Sequence, residues 1–533
     1  MSKGFRQSQG FLHTWSGLLL GWILFLVFVA GTIAFYREGL NRWMRPELAR
    51  VENPMRVLAG AQTYLAHKAP HAKSWFIPVA TKQSAGSQLF WVPQPDPNAP
   101  KGSGRRGGRG RRDTQALIGA DGKVATVRET RGGDFFYRLH FDLHYMPVIW
   151  ARWLVGFASM MMLVAILSGI VTHKKIFRDF FTLRRSKGQR SWLDGHNAVA
   201  VLALPFHLMI TYTGLVTLMA LLMPWAVIAN YTDERAIGAV LFPTMPVVER
   251  TGRAAPLVDL RRIAADAERR LGAPASYIQV SEPGDAAARI TVSQSPVSTL
   301  NTRTPQLGYD GVTGRLLWQS LPSGAAAETA GVMIGLHAGR FADAGLRFIY
   351  FLCGIGGTLM VASGLVLWTV KRRERLPDPR HPHLGFRIVE RLNIAVIAGL
   401  PLGIAGLFWA NRLLDIGMRN RAEWEIHWMF IAWAIAAIVA LLATPRIAWQ
   451  IVLGLAGALL VALPGYNAVL TPRGMLEAVA SGDFMLAGID MAMFVVGLAL
   501  LLIARRVALH RSVARPGRRA PSASSAHEER PTL

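Results

Sequence analysis

The sequence contains almost no cysteine and relatively few acidic residues. Cys353 is the single cysteine among 533 residues, and 33 acidic residues stand against 59 lysines and arginines. An intrachain disulfide and a cysteine-ligated zinc or iron–sulfur site are therefore excluded. Any redox cofactor would depend on histidine, methionine or carboxylate ligands, or on non-covalent contacts alone. Carboxylates are also absent from four of the longest apolar runs: 14–36, 148–171, 197–222 and 345–370.

A dinucleotide-binding fingerprint is also missing. No Gly-x-Gly-x-x-Gly segment stands between a strand and a helix, and no flavin domain is recognisable. If the chain carries electrons, we expect its donor to be another protein or a quinol.

Long apolar segments are abundant. Hydrophobic residues make up 51% of the chain, and a bilayer crossing needs roughly 20 of them in a row. Beyond the four runs above, further candidates lie at 387–409, 427–443, 447–465 and 486–504. The sequence predicts an all-α polytopic membrane bundle of about eight spans. The first run is too long for a signal peptide, so we expect it to remain as an anchor.

The net charge of +26 is distributed as a topology signal rather than as a nucleic-acid surface. Basic clusters follow even-numbered spans at 173–175, 184–187, 371–373 and 505–506. Short basic loops remain cytoplasmic, which predicts a multi-pass protein of the bacterial inner membrane with cytoplasmic N- and C-termini. We expect the lipid bilayer, and no nucleic acid, as its surroundings.

One arrangement of residues occurs twice. His13 precedes an apolar run that reaches Gly31, and His196 precedes one that reaches Gly214, with 18 residues from histidine to glycine in both. Two other runs correspond at equal spacing: Arg152 with Ser168 and Gly169, and Arg347 with Ser363 and Gly364. His144 and His337 stand before those two runs. The pattern indicates an internal duplication with functional residues at the repeat interface.

The segments between the paired spans also resemble each other. Each begins with a helical pattern, near 55–61 and 260–267, and continues with β-rich stretches such as 87–92 and 288–292. Each ends in an Asp-Gly turn, at Asp121 and Asp310, a strong hairpin signal. We therefore expect two small α+β domains outside the membrane.

The spans and the segments between them divide the chain into ten parts. Spans 1 to 4 are predicted at 8–36, 141–173, 196–222 and 336–370, with periplasmic domains at 37–140 and 223–335. Cytoplasmic loops are predicted at 174–195 and 371–386, four additional spans at 387–505, and a disordered tail at 506–533.

Histidines at the ends of paired membrane helices are candidate haem ligands, because two imidazoles from different helices commonly hold haem iron. His13 and His196 form the inner set. His144 and His337 form the outer set, with His140 and His173 as weaker candidates. Glycines along these spans would let a porphyrin approach the backbone. We expect two haems b.

His207 lies deep in its span, 11 residues after His196 and on nearly the same helix face, about 16 Å away. From His144 to the inner end of span 2 near Thr172 is about 42 Å of helix. That separation is long for electron transfer, so we expect one haem to use His207. Pro205 is expected to loosen the helix beside it.

Other polar features have structural explanations. Asp490 and His427 are the polar exceptions in the last four spans, and we expect structural roles for both. The Gly- and Arg-rich insertion at 101–112 is expected to be a solvated loop near anionic head groups. The alternative is electrostatic attraction of an anionic substrate.

Four segments together resemble PepSY-associated transmembrane proteins: 12–18, 135–144, 191–198 and 335–341. The resemblance covers about residues 8–375, and it implies that the two α+β domains are PepSY-like. Members of this family include iron-regulated inner-membrane reductases with two haems. The resemblance therefore implies electron delivery across the membrane to a periplasmic ferric siderophore. The four extra spans depart from the simplest members.

Two other classes of function stay open on the sequence. PepSY domains also occur in peptidase-inhibitory proteins, so a membrane regulator without redox activity is one alternative. A metal or proton transporter using intramembrane histidines is the other. The lack of carboxylates in the four repeated spans counts against a transporter.

Overall fold

The duplication is visible as two sets of helices in the computed structural model, which describes residues 4–95, 114–172, 189–230, 244–246, 248–322, 324–379 and 381–510. The first repeat contains α1 (Phe5–Ala34), α2 (Arg37–Trp43), α3 (Pro54–Lys68), α4 (Gly132–Asp142) and α5 (Val148–Thr172). The second contains α6 (Gln189–Leu202), α7 (Leu204–Thr217), α8 (Met219–Leu222), α9 (Trp225–Asn230), α10 (Leu260–Leu271), α11 (Ala325–Ala338) and α12 (Ala344–Arg373).

The counterpart of α1 in the second repeat is broken. Helices α6 and α7 meet at a bend of 68° around Ala203. Pro205 occupies the first turn of α7, where its missing N–H costs nothing but where it cannot continue the preceding helix. The expected loosening at Pro205 is therefore a break.

A short helix precedes the last span of each repeat. Helix α4 ends where Leu143, His144 and Tyr145 all have positive φ, and α5 begins only at Val148. Helix α11 ends at Ala338 and is followed by Gly339 with φ +61°, and Asp343 caps α12 by accepting the Leu346 N–H at 2.8 Å. The predicted spans at 141–173 and 336–370 thus begin too early, because each merges a short helix with the membrane helix that follows.

The extramembrane strands of both repeats form one sheet. They are β1 (Ser74–Pro78), β2 (Ser87–Val92), β3 (Gln115–Ile118), β4 (Ala275–Ser281), β5 (Arg289–Gln294), β6 (Gln306–Asp310) and β7 (Leu316–Gln319). Their order is β3-β2-β1-β4-β5-β6-β7, all antiparallel. The repeats meet where β1 pairs with β4, and α3 and α10 cover one face of the sheet.

Four membrane helices follow. The first consists of α13 (Leu384–Asn393), a π-helical turn (Ile394–Ala398) and α14 (Gly399–Leu413); the others are α15 (Arg421–Leu442), α16 (Pro445–Leu470) and α18 (Phe484–Leu509), with the short α17 (Met475–Ala480) between them. The described residues include seven helices that are long and apolar enough to cross a membrane, or eight crossings with the bent α6–α7 pair. The expected polytopic bundle is confirmed at that level.

Buried polar contacts attach these last helices to the first repeat. Asp490 is buried and accepts hydrogen bonds from Trp43 Nε1 at 2.8 Å and Asn467 Nδ2 at 3.3 Å. The Arg42 guanidinium pairs with Asp483 nearby. Asp490 thus has structural partners, as a buried carboxylate requires.

Candidate functional site

The inner pair consists of His13 and His196, whose ring centres lie 6.4 Å apart. His13 Nδ1 donates to the carbonyl of Ala165 at 2.8 Å, and His196 Nδ1 donates to that of Met360 at 3.0 Å. Each imidazole is therefore fixed by the last helix of its own repeat. The recurrent serines act at the same carbonyls: they donate at 3.2 Å and 3.0 Å in the two repeats (Ser168 to Ala165, Ser363 to Met360).

The outer pair consists of His140 and His337, with ring centres 5.9 Å apart. His140 Nδ1 donates to the Val27 carbonyl at 2.7 Å, and His337 Nδ1 donates to the Ile210 carbonyl at 3.0 Å. Helices α4 and α11 supply the imidazoles, while α1 and α7 supply the carbonyls. Each repeat thus contributes one histidine to each pair.

The four imidazoles face the four recurrent glycines. A Cβ at Gly31 would lie 2.7 Å from His140 Cε1, and one at Gly214 would lie 2.9 Å from His337 Cε1. The corresponding distances at the inner pair are 3.3 Å (Gly169 to His13) and 3.2 Å (Gly364 to His196). Any larger residue would press on an imidazole, which explains the glycine at all four positions.

This arrangement fits metal ligation by paired imidazoles. A ligating histidine usually donates its second ring N–H to a carbonyl, which fixes its tautomer and orientation. Here Nδ1 is the anchored nitrogen in all four cases, so Nε2 is the nitrogen that would ligate. A metal held at about 2 Å from each of two imidazoles separates the ring centres by about 6 Å. Both pairs have that separation.

A cavity of about 940 Å³ adjoins the outer pair. His140 and His337 both line it, with apolar walls from Phe28, Val155 and Phe206. The cavity extends to the sheet loops near Ser84 and Val297. Its volume is at the upper end of the range for cofactor pockets, roughly 300–1,000 Å³. A planar apolar cofactor such as haem fits this combination of paired imidazoles, glycine and apolar wall.

The axial distance between the pairs is shorter than the sequence indicated. The carbonyl that holds His140 belongs to Val27 on α1. Along α1, His13 and Val27 are about 21 Å apart, and this length approximates the separation of the two pairs. The estimate of about 42 Å assumed that His144 and span 2 form one continuous helix. Because α4 is a separate helix, His140 reaches α1 well inside the bundle. The reason for assigning one haem to His207 therefore disappears.

His207 lies alone between the two pairs. It is fully buried, its ring centre is 6.0 Å from that of Phe28, and its Nε2 is 3.4 Å from the Cys353 carbonyl. Its Nδ1 has no hydrogen-bond partner within the described ranges. Among the residues that the structure describes, the ring of His207 packs against phenylalanines and not against another histidine.

His144 lies in an aromatic cluster between α4 and α15. Its ring packs against Phe135 and stacks on Phe430, with centres 5.7 and 5.6 Å away. Partial burial lowers the pKa of His144, and Arg131 adds to that effect while Glu423 opposes it. The sequence-based preference for His144 over His140 as the partner of His337 is thus not matched by the placement of the two rings.

His427 lies at the outer end of α15, where it is hydrogen-bonded to the Tyr145 hydroxyl. This contact agrees with the structural role expected for it. His173 and the cationic insertion at 101–112 lie outside the described residues.

Comparison with known proteins covers the part of the chain that contains the two repeats. The PepSY-associated transmembrane region family matches residues 11–371, which spans both histidine pairs and the sheet. An uncharacterized protein of Pseudomonas aeruginosa, PA4219, is 29% identical over 352 residues, covering 61% of this chain and 85% of that protein. The last four helices lie beyond the matched family region. The chain therefore belongs to the PepSY-associated transmembrane family.

Proposed function

We propose that this protein is a di-haem membrane reductase, with one haem b between His13 and His196 and a second between His140 and His337. The observation that carries the proposal is the presence of two pairs of facing imidazoles, which lie at different depths of one bundle. Haem, when bound, accepts and passes on single electrons.

The chain's own residues provide ligation, orientation and insulation. Carbonyls of Ala165, Met360, Val27 and Ile210 hold the four imidazoles in one tautomer, because each accepts the Nδ1–H. The apolar side chains between the pairs keep water away from the path. His207 and Phe28 lie in the part of the bundle between the inner and outer histidine pairs.

We assign a direction of transfer from the topology that the basic clusters predict. We place the inner pair toward the cytoplasmic face, since α12 ends in Lys371, Arg372 and Arg373. Electrons would arrive there from a cytoplasmic donor or the quinol pool and leave at the outer pair, beside the cavity. The acceptor we propose is a periplasmic ferric siderophore. One electron converts Fe(III) to Fe(II), which weakens its bonds to hard oxygen ligands and frees the iron.

A visible spectrum of the purified full-length protein tests the proposal. We expect a bis-imidazole haem spectrum that changes on reduction with dithionite. Full reoxidation by a ferric siderophore, with Fe(II) trapped by a chromogenic chelator, tests the acceptor. A protein without haem would overturn the proposal and leave a regulator or a transporter as the explanation.

Paired variants assign the sites. His13→Ala with His196→Ala removes only the inner ligands, and His140→Ala with His337→Ala removes only the outer ligands. Each double variant is expected to retain one haem. His67→Ala, which changes a histidine of α3 outside the bundle, is the matched control and should retain both. Equal haem content in all variants would contradict the assignment.

A further inference from the structure

The described side chains that line the outer cavity carry more positive than negative charges. Of the residues that the structure describes, five arginines line it, against two carboxylates, Glu38 and Asp134. Both carboxylates already pair with Arg37, at 3.1 and 3.2 Å. Arg37 offsets one of these two negative charges and Arg45 lies near the other, so neither carboxylate pairs with the three other arginines of the wall.

Arg152 and Arg347 correspond in the duplication but differ in their partners. Arg152 Nε donates to Asp142 at 2.9 Å. Arg347 donates to the backbone carbonyl of Ala342 at 3.0 Å, and no carboxylate among the described residues pairs with it. The reason is visible in the sequence: Asp142 stands two residues after His140, and Gly339 stands two residues after His337. At this point the second repeat has the arginine but lacks the carboxylate.

Arg340 lines the same wall and is exposed, again without a carboxylate partner in the described part of the chain. Two guanidinium groups thus border a partly enclosed space beside the outer histidines. A half-buried guanidinium favours a carboxylate, which it can bind through two parallel N–H donors.

We infer that Arg347 and Arg340 form an anion site that binds carboxylate groups inside the outer cavity. Two sources can supply the carboxylate: the edge substituents of the haem held by His140 and His337, or an anionic iron chelate. The anion site itself is inferred from the positions of the two arginines. The identity of either carboxylate source depends on the proposed function.

The first experiment does not require haem. Citrate is the probe, and the thermal unfolding midpoint of the full-length protein is the readout. We expect citrate to raise the midpoint of the wild type and of Arg262→Gln, an exposed arginine of α10. Arg347→Gln should lose most of that rise, and Arg347→Lys should recover part of it. If the rise is the same in all variants, the anion site is overturned, whether or not the protein binds haem. If Arg347→Gln does not fold, Arg340→Gln takes its place.

The second experiment separates the two sources in the haem-loaded protein. Dithionite-reduced protein is mixed with an anionic acceptor, hexacyanoferrate(III), or a cationic one, hexaammineruthenium(III). If the site binds the acceptor, Arg347→Gln slows reoxidation by the anionic acceptor on the order of tenfold and spares the cationic one. If it binds the haem carboxylates, the variant lowers the outer haem's midpoint potential or occupancy, and both acceptors respond alike. If neither readout separates Arg347→Gln from Arg262→Gln, the anion site is again overturned.

Discussion

His140 and His337 face each other across the repeat interface with ring centres 5.9 Å apart. Each ring is held by a backbone carbonyl from another helix of its own repeat, α1 for His140 and α7 for His337. Val27 and Ile210, which supply those carbonyls, lie at corresponding places in the two repeats. The same holds for Ala165 and Met360 at the inner pair. Each anchor is thus a feature of the duplicated unit rather than of one site.

Substituting His140 should remove the haem that we propose at the outer pair, whereas substituting His144 should not. His140→Ala takes away one of two facing imidazoles, while His144 packs among Phe135 and Phe430. Haem per protein, measured as the pyridine haemochrome, should fall for His140→Ala and stay unchanged for His144→Ala. The reverse result would restore His144 as the outer ligand.

Adding a methyl group at Gly31 should disturb the outer haem only. A Cβ there would lie 2.7 Å from the His140 ring, which is held in place by the Val27 carbonyl. We expect haem binding at the outer site to weaken on the order of 10- to 100-fold, as when a ligand's supporting contact is lost. Gly17→Ala on the same helix is the control, since its Cβ would meet nothing within 4 Å. Equal haem content in the two variants would count against the glycine's proposed role.

Replacing His207 with leucine, the residue at the matching position of α1, should leave both haems in place. The two pairs are complete without His207, and its buried Nδ1 lacks a partner within the described residues. An unsatisfied buried polar atom costs about 1–3 kcal/mol, so the thermal midpoint should stay constant or rise. Haem loss in this variant would instead support the ligand role that the sequence suggested.

Breaking the buried ion pair between Arg42 and Asp483 should destabilise the attachment of the last four helices. Side chains of both residues are almost completely buried. Removing one partner leaves a buried charge, at a cost of about 3–5 kcal/mol. We expect Arg42→Met or Asp483→Leu to lower the thermal midpoint strongly, and the double variant to recover much of the loss. A double variant less stable than either single one would exclude this explanation.

Acid should weaken the sheet through Asp285. Its buried carboxylate accepts N–H groups of Thr251, Gly252 and Ala287 and the Thr251 hydroxyl at 2.7–3.0 Å. Burial alone would raise the pKa of Asp285, but these donors outweigh it and hold that pKa well below its usual range. The carboxylate therefore contributes its full stabilisation above about pH 4, and this is lost as the pH falls through the lowered pKa.

Asp285→Asn tests that dependence. The variant should melt earlier than the wild type at neutral pH, and the difference should shrink in acid. Glu52→Gln, at a side chain that is 74% exposed, is the control and should follow the wild type throughout. A constant difference between Asp285→Asn and the wild type at all pH values would contradict the linkage.

The sequence predicts much of this architecture because its main signals are local. Helix-length apolar runs, the histidine-to-glycine interval and the Asp-Gly turn at Asp310 all depend on neighbouring residues. The choice between His140 and His144 depends on where α4 ends, and the three positive φ values that end it involve no glycine. The pairing of β1 with β4 joins distant segments, so no short pattern could have revealed it.

The β1–β4 junction also bears on the origin of the fold. Antiparallel pairing of equivalent strands is the contact that two identical subunits make about a two-fold axis. Each histidine pair likewise takes one member from each half. A single repeat therefore has the surfaces to form a self-complementary homodimer with both histidine pairs at its interface, and within one chain the two repeats can differ, as Asp142 and Gly339 do.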